Sequence, residues 1–414
     1  MEERQNATRR SVTKARIKSL KTAGFASWAG IAFASRMPVA MAPLAMVFLV
    51  RDRPDGLAEG SLLATLYVIG EMVGAPILGT IASPRRLRQH LAAGLAIGGS
   101  AFAGVALFRD APIWLLMILS LIAGAAPAAT PGGVQTILTR QFKEADVPFA
   151  LSVSRVHATV VWSVAPASVG YLALTVAPFT PFLLGALLFL LSASMLIFIS
   201  AGSGNIQGKK PDSVKKSVTE LSRAWPLFLG TAAVNFLVGL GELELVALLS
   251  SKGIQVIWAG PLVAGFSVIG VVGTIAFGLG KWPGNHRQQS TWLIVMMCSG
   301  TVICAISSNL LPLALGFLFS GLFVPCFMLV RNLALRDLLP EQFHTAGFSV
   351  LYASSCVGYV LCGATASVTL KFSQPQTSLI GAAGAVAVIT FASFVVERRL
   401  ASSRQELTAT NSFS

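Results

Sequence analysis

The chain has 414 residues, of which 54% are hydrophobic and only 12% charged, and its formal net charge is +14. A soluble domain carries about twice that charged fraction, so a chain this apolar could not coat itself in water. Apolar runs longer than about 18 residues recur throughout, each able to cross about 30 Å of hydrocarbon. A soluble globular domain is thereby excluded, and helices are the expected spanning element, because barrel strands show as short alternating segments.

Residues 1–22 are polar and basic. The apolar run after them is far longer than the roughly 7–15 residues of a secretory signal, so this segment reads as retained. Twelve spans are expected, over 23–50, 58–82, 89–108, 112–138, 148–175, 179–201, 224–250, 256–280, 290–310, 312–335, 344–371 and 375–397. Connections are short except at 202–223, whose Gly, Ser and Lys content reads as a flexible linker. The expected fold class is therefore an all-α polytopic membrane protein. Its parts are a basic terminus (1–22), a six-helix bundle (23–201), a linker (202–223), a second six-helix bundle (224–397) and a tail (398–414).

Lys and Arg predict the orientation. With the amino terminus inside, 24 of the 31 Lys and Arg fall in cytoplasmic segments. Five (Arg51, Arg53, Arg109, Lys252, Lys371) fall in external loops, and Arg36 and Arg155 fall within spans. This bias predicts a multi-pass protein of the cytoplasmic (inner) cell membrane with both termini in the cytoplasm. Most of the net charge is then a topology signal facing anionic lipid, not a surface for nucleic acid.

The two halves repeat. GTIASPRRLRQ (79–89) aligns with GLGKWPGNHRQ (278–288) at an offset of 199, matching Gly79/Gly278, Pro84/Pro283, Arg88/Arg287 and Gln89/Gln288. ALSV (150–153) aligns with GFSV (347–350) at 197, and Pro127 with Pro325 at 198. Both halves begin inside, so this is a parallel repeat, an arrangement typical of alternating-access transporters. The five cysteines lie in apolar runs without metal-site spacing and read as small buried thiols. No metal or cofactor is expected, and no Walker-type loop is present.

Twelve spans, a basic linker and a six-plus-six parallel repeat together resemble the major facilitator superfamily over residues 23–397. In that family the loop between the second and third spans reads Gly, an apolar stretch, Asp, Arg, then Gly and basic residues. Here Gly79, Arg85 and Arg86 match, and Ser83 stands in place of the acid, so the resemblance carries no Asp-based charge lock. Ala165-Pro166 followed by Gly170 resembles the Gly-Pro motif of family exporters, with Ala for Gly. The family's drug antiporters often carry an Arg inside the fourth span, and none appears here before Arg140. Arg36-Met37-Pro38 and GELEL (241–245) resemble bacterial efflux members, which implies export.

Ionisable residues inside a span are costly, about 2.5–3.5 kcal/mol at mid-bilayer on insertion scales, and should face a cavity or a partner. Here they are Arg36, Glu71, Arg155, His157, Glu242 and Glu244, while Arg331, near a span end, is expected to reach the interface. Arg36 and Glu71 lie near the midpoints of consecutive spans, with Tyr67 one turn from Glu71. Either the two neutralise each other and pin two helices, or Arg36 orients an anionic or polar substrate group while Glu71 exchanges a proton. Arg155 and His157 diverge by about 200° on one helix, as do Glu242 and Glu244, so each pair is expected to split between a cavity and a helix contact. The resemblance points to Glu244 as the embedded member, and Asn235 is expected to add a polar contact.

The expected function is proton-coupled export of a small organic molecule by a monomeric secondary transporter among membrane lipids. Import of a small metabolite and lipid translocation are the alternatives within that class. A membrane enzyme would need clustered His, Asp or Ser near one interface, which the four scattered histidines do not provide. A sensor without transport is the remaining alternative.

Overall fold

The computed structural model describes residues 23–82, 86–198, 214–280 and 282–411. The features read at 1–22, at Ser83, Pro84 and Arg85, across 199–213, at Lys281 and at 412–414 lie outside those residues. The described residues form fourteen α-helices and no strand. They are α1 (Ala23–Val50), α2 (Gly56–Ile81), α3 (Leu87–Leu107), α4 (Ile113–Ala125), α5 (Thr130–Gln141), α6 (Val147–Thr175) and α7 (Thr180–Phe198). Then come α8 (Val214–Arg223), α9 (Trp225–Ser251), α10 (Ala259–Leu279), α11 (His286–Ile306), α12 (Leu310–Leu338), α13 (His344–Phe372) and α14 (Pro375–Asn411). Twelve segments among the described residues are long and apolar enough to span a membrane. A helix is the economical form there, since hydrocarbon offers no water to backbone N–H and C=O groups.

Helix α2 shows the membrane pattern. Its buried stripe is Leu63, Tyr67, Glu71 and Ala75, and its exposed stripe is Ile69, Val73, Ile77 and Ile81. In water the apolar stripe would turn inward. Here the exposed face is aliphatic and the buried face carries the carboxylate, the arrangement lipid selects.

Two compact units emerge. The first comprises Met1–Val218 with Pro340–Ala353, and the second Thr219–Leu339 with Ser354–Ser414. The sequence division at 223/224 places Pro340–Ala353 with the second bundle, whereas compactness groups it with the first. Within the first unit the contacting pairs include α2 with α4, α3 with α4, α3 with α7 and α1 with α7. Within the second they include α10 with α12, α11 with α12, α11 with α14 and α9 with α14. The same pairing thus recurs with α1, α2, α3, α4 and α7 matched to α9, α10, α11, α12 and α14. The first core centres on Phe102, whose ring meets Tyr67, Phe182 and Phe189 at centroid separations of 6.2, 5.6 and 5.2 Å. The second gathers Val234, Leu237, Leu248, Leu313 and Phe327.

Glycines set the closest approaches. A Cβ on Gly70 would meet the Leu121 carbonyl, one on Gly74 the Ala125 carbonyl and one on Gly94 the Ala126 carbonyl. Gly98 likewise faces the Pro127 ring, so small residues let the helices approach closely here. All of them converge on the fourth span, which is one element in the sequence reading (112–138) but two helices in the structure. Pro127 has no N–H to donate, and the chain turns through Ala128 N–H to Ala125 O (3.3 Å) and Thr130 N–H to Pro127 O (2.8 Å) before α5 begins. The equivalent Pro325 leaves α12 continuous.

Three other expectations are corrected. The linker's last ten residues are helical as α8, where Glu220 and Arg223 pair at i, i+3 (2.8 Å) and Leu221 is buried. The twelfth span runs on as helix to Asn411, through most of the segment read as a tail, with no Pro or Gly after Gly384 to stop it. The ninth span starts at His286 instead of 290, because Asn285 and Gln288 form a capping box.

Candidate functional site

Arg36 leaves α1 toward α6. Its Nη1 donates to the Ser154 carbonyl (3.3 Å) and to His157 Nδ1 (3.2 Å), and its Nη2 to Ser154 Oγ (3.2 Å). A guanidinium has only donors, so His157 Nδ1 accepts and a ring proton sits on Nε2. Ser154 Oγ in turn donates to Gln135 Oε1 on α5 (3.1 Å). Trp28 closes the site: Arg36 lies 6.0 Å from its ring centroid, and its Nε1 donates to the Val134 carbonyl (3.0 Å). Arg155 lies close enough to act electrostatically on Arg36. Of the two, His157 meets Arg36 through a hydrogen bond and Arg155 through its charge.

Glu71 does not pair with Arg36. Its Oε1 accepts from Tyr67 (3.5 Å) and from Tyr352 (3.2 Å), two phenols held at different points of the first unit. Tyr67 is one turn back on α2, as expected from i, i+4 spacing. Tyr352 was missed by sequence reasoning. It arrives on the first half of α13, where it packs against Ala75 and Ala128. The available signal was composition: the chain has only four tyrosines, and a phenol inside an apolar helix needs a partner.

The approach of that segment explains the motif glycine. A Cβ on Gly79 would come within 2.7 Å of the Ser349 side chain, and one on Gly132 would strike the same residue. Thr345 Oγ1 donates to Thr136 Oγ1 (3.2 Å), and Arg140 Nε pairs with Glu341 (2.9 Å). Arg86 is exposed at the start of α3, where its carbonyl meets His90 Nδ1 (2.9 Å). Arg85 lies outside the described residues. On α6, Ala165 is fully buried, Pro166 is exposed, and a Cβ on Gly170 would meet nothing within 4 Å.

In the second unit, Asn235 Nδ2 lies within reach of the Thr231 carbonyl (2.8 Å), Ser355 Oγ (3.2 Å) and Met328 Sδ (3.8 Å). It is a helix-locking amide. Glu244 is fully buried and accepts from Thr369 and Ser378, while Glu242 is half-buried and forms no ion pair among the described residues. Arg331 does not reach an interface. It is 2% exposed, its guanidinium lies over Phe327 (5.1 Å), and the missing side chain of Gly230 leaves room for it beside α9. Four of the five cysteines are buried, and all five are free thiols. Among the described residues no three His, Cys, Asp or Glu side chains gather at metal-binding spacing.

Twelve apolar helices, one packing scheme used in two units, and ionisable side chains held inside the spans define a polytopic membrane protein of the secondary-transporter class. The chain belongs to the Major Facilitator Superfamily, whose family model matches residues 28–304. It is a transporter, not an enzyme. Its fold is similar to that of a bacterial homologue of the iron transporter ferroportin in an outward-facing state, with TM-score 0.75 and 14% identity, covering 92% of this chain and 100% of that one. It is also similar to the E. coli fucose:proton symporter, with TM-score 0.65 and 16% identity, covering 90% and 97% of the respective chains. The human organic anion transporter MFSD10 aligns with TM-score 0.65 and 14% identity, covering 90% and 98%. No curated protein matches this chain in sequence.

Proposed function

We propose that the chain is a proton-coupled secondary transporter that exports a small organic molecule bearing an anionic group. The observation that carries this reading is the setting of Arg36. Its guanidinium is held by a carbonyl, a hydroxyl and an imidazole, with no carboxylate partner among the described residues. A cation at span depth is costly unless an opposite charge meets it. The substrate's anionic group supplies that charge, and Arg155 reinforces the attraction. Glu71, held by two neutral phenols and not by Arg36, takes up and releases the coupling proton.

Transport proceeds by alternating access, the mode that a parallel repeat of this kind supports. Proteins of this fold include a proton symporter and an organic anion transporter, so both parts of the reading are compatible with it. The outward direction rests on the resemblance to efflux members around Arg36 and Glu244. The Lys and Arg bias supports an inner-membrane orientation with both termini in the cytoplasm.

The experiment is a panel of organic anions and their neutral amides or esters, assayed for efflux from cells with and without the protein. The expected result is protein-dependent efflux of an anion, absent for its neutral analogue and abolished by a protonophore. Efflux of neutral analogues alone, or insensitivity to the protonophore, overturns the respective half of the reading.

A further inference from the structure

Glu244 is 0% exposed on α9. Its Oε1 accepts from Thr369 Oγ1 on α13 (2.6 Å) and from Ser378 Oγ on α14 (2.8 Å). Its Oε2 is buried with no hydrogen-bond partner. Among the described residues no Lys or Arg forms an ion pair with it. Three helices of the second unit thus bring one carboxylate and two hydroxyls together, with one carboxylate oxygen unused.

The scaffold does not require this group. At the repeat offset of 198 Glu244 corresponds to Met46, and with the ends of α1 and α9 aligned (Val50 with Ser251) to Pro43, so the counterpart stretch Pro43–Met46 carries no charge. Met46 is fully buried in the first core, so α1 packs at that level without any charge. A carboxylate held inside a span where its counterpart is apolar points to a ligand. Gly241 and Leu248, about one turn to either side of Glu244 on α9, line a small cleft beside it, as does Leu379, next to Ser378.

We propose that Glu244, Thr369 and Ser378 form a binding site for one sodium ion. The donors are all oxygen, which suits a hard cation. A single carboxylate balances a single positive charge, whereas a divalent ion would leave net charge buried. Each hydroxyl has two lone pairs and can turn its proton away from Oε1, as Thr369 toward the Thr365 carbonyl at 3.0 Å, so that a lone pair faces the ion, while Oε2 adds a further oxygen. This site lies in the second unit and does not rest on the Arg36 and Glu71 reading.

The test is sodium binding to the purified full-length protein in detergent, independent of any substrate. Thermal unfolding is followed as sodium chloride replaces choline or potassium chloride at constant ionic strength and pH, alongside ²²Na⁺ binding. The expected result is a saturable, sodium-specific rise in Tm of several degrees, lost in Glu244→Gln. Thr369→Val should weaken the apparent sodium affinity tenfold or more, and Thr369→Ser should restore it. This pair decides the question even if Glu244→Gln fails to fold. No sodium-specific shift in the wild type, an equal shift with potassium, or a shift that survives Glu244→Gln overturns the proposal. So does stabilisation by acid alone that disappears in Glu244→Gln, which would make the site a proton site.

Discussion

The Arg36 guanidinium lies 3.2 Å from His157 Nδ1 and makes no ion pair with Glu71. Two groups near the midpoints of consecutive helices are thus held by different partners, serine and histidine for one and two tyrosines for the other. Each is positioned, and neither is neutralised by the other.

If Arg36 binds the substrate's anionic group, Arg36→Lys keeps the charge but loses the planar fork. We expect a KM increase of about tenfold, equivalent to about 1.4 kcal/mol, with little change in protein yield. Concentration-dependent transport in proteoliposomes measures it. An unchanged KM would remove Arg36 from the substrate site.

If Glu71 carries the coupling proton, Glu71→Gln preserves an oxygen for Tyr67 and Tyr352 but removes that role. Uphill transport driven by a pH gradient should disappear while downhill exchange of substrate persists. Tyr352→Phe removes one hydrogen bond, about 1 kcal/mol, and should reduce gradient-driven accumulation without abolishing it. Retention of full gradient-driven transport in Glu71→Gln would end its coupling role.

Gly124 is a packing contact that can be tested by stability alone. A Cβ there would drive into the Tyr67 carbonyl, whereas one on Gly241 would meet nothing within 4 Å. Gly124→Ala should therefore cost about 1–3 kcal/mol as overpacking. Gly241→Ala should be neutral or stabilising by up to about 1 kcal/mol. Equal melting temperatures for the two variants in detergent would contradict this packing.

A Cβ on Gly230 would fall on the Arg331 guanidinium. Gly230→Ala should lower the melting temperature by displacing a buried charge, a loss of about 1–3 kcal/mol. Combining it with Arg331→Met should recover part of that loss, since the two positions share one contact. Strict additivity in the double variant would show that they do not interact.

Much of the fold was legible because hydrocarbon leaves the chain little choice. An uncharged run of 20 or more residues must satisfy its own backbone, and only a helix does so within one segment. The expected span 23–50 is α1, and 344–371 falls within α13. What escaped was local chemistry that hydropathy does not weigh. The Asn285/Gln288 capping box moved a helix start, Pro127 divided the fourth span, and polar residues Val214–Arg223 formed a helix where a linker was read. In the candidate site, Tyr67 beside Glu71 followed from one helical turn. Tyr352 did not, because 281 residues separate it from its partner.

The sequence by itself determined the class of the protein, its twelve spans, its repeat and the short roster of ionisable residues within them. Periodicity and the price of charge in lipid act on every residue in place, so these features are readable without a fold. Only the tertiary structure decided which of those residues meet. Arg36 turns to Ser154 and His157, Glu71 to two tyrosines and Glu244 to Thr369 and Ser378. The direction a side chain takes around its helix depends on which neighbour packs against that face. Glycines such as Gly79, Gly124 and Gly230 decide that packing by how closely they let the neighbour approach.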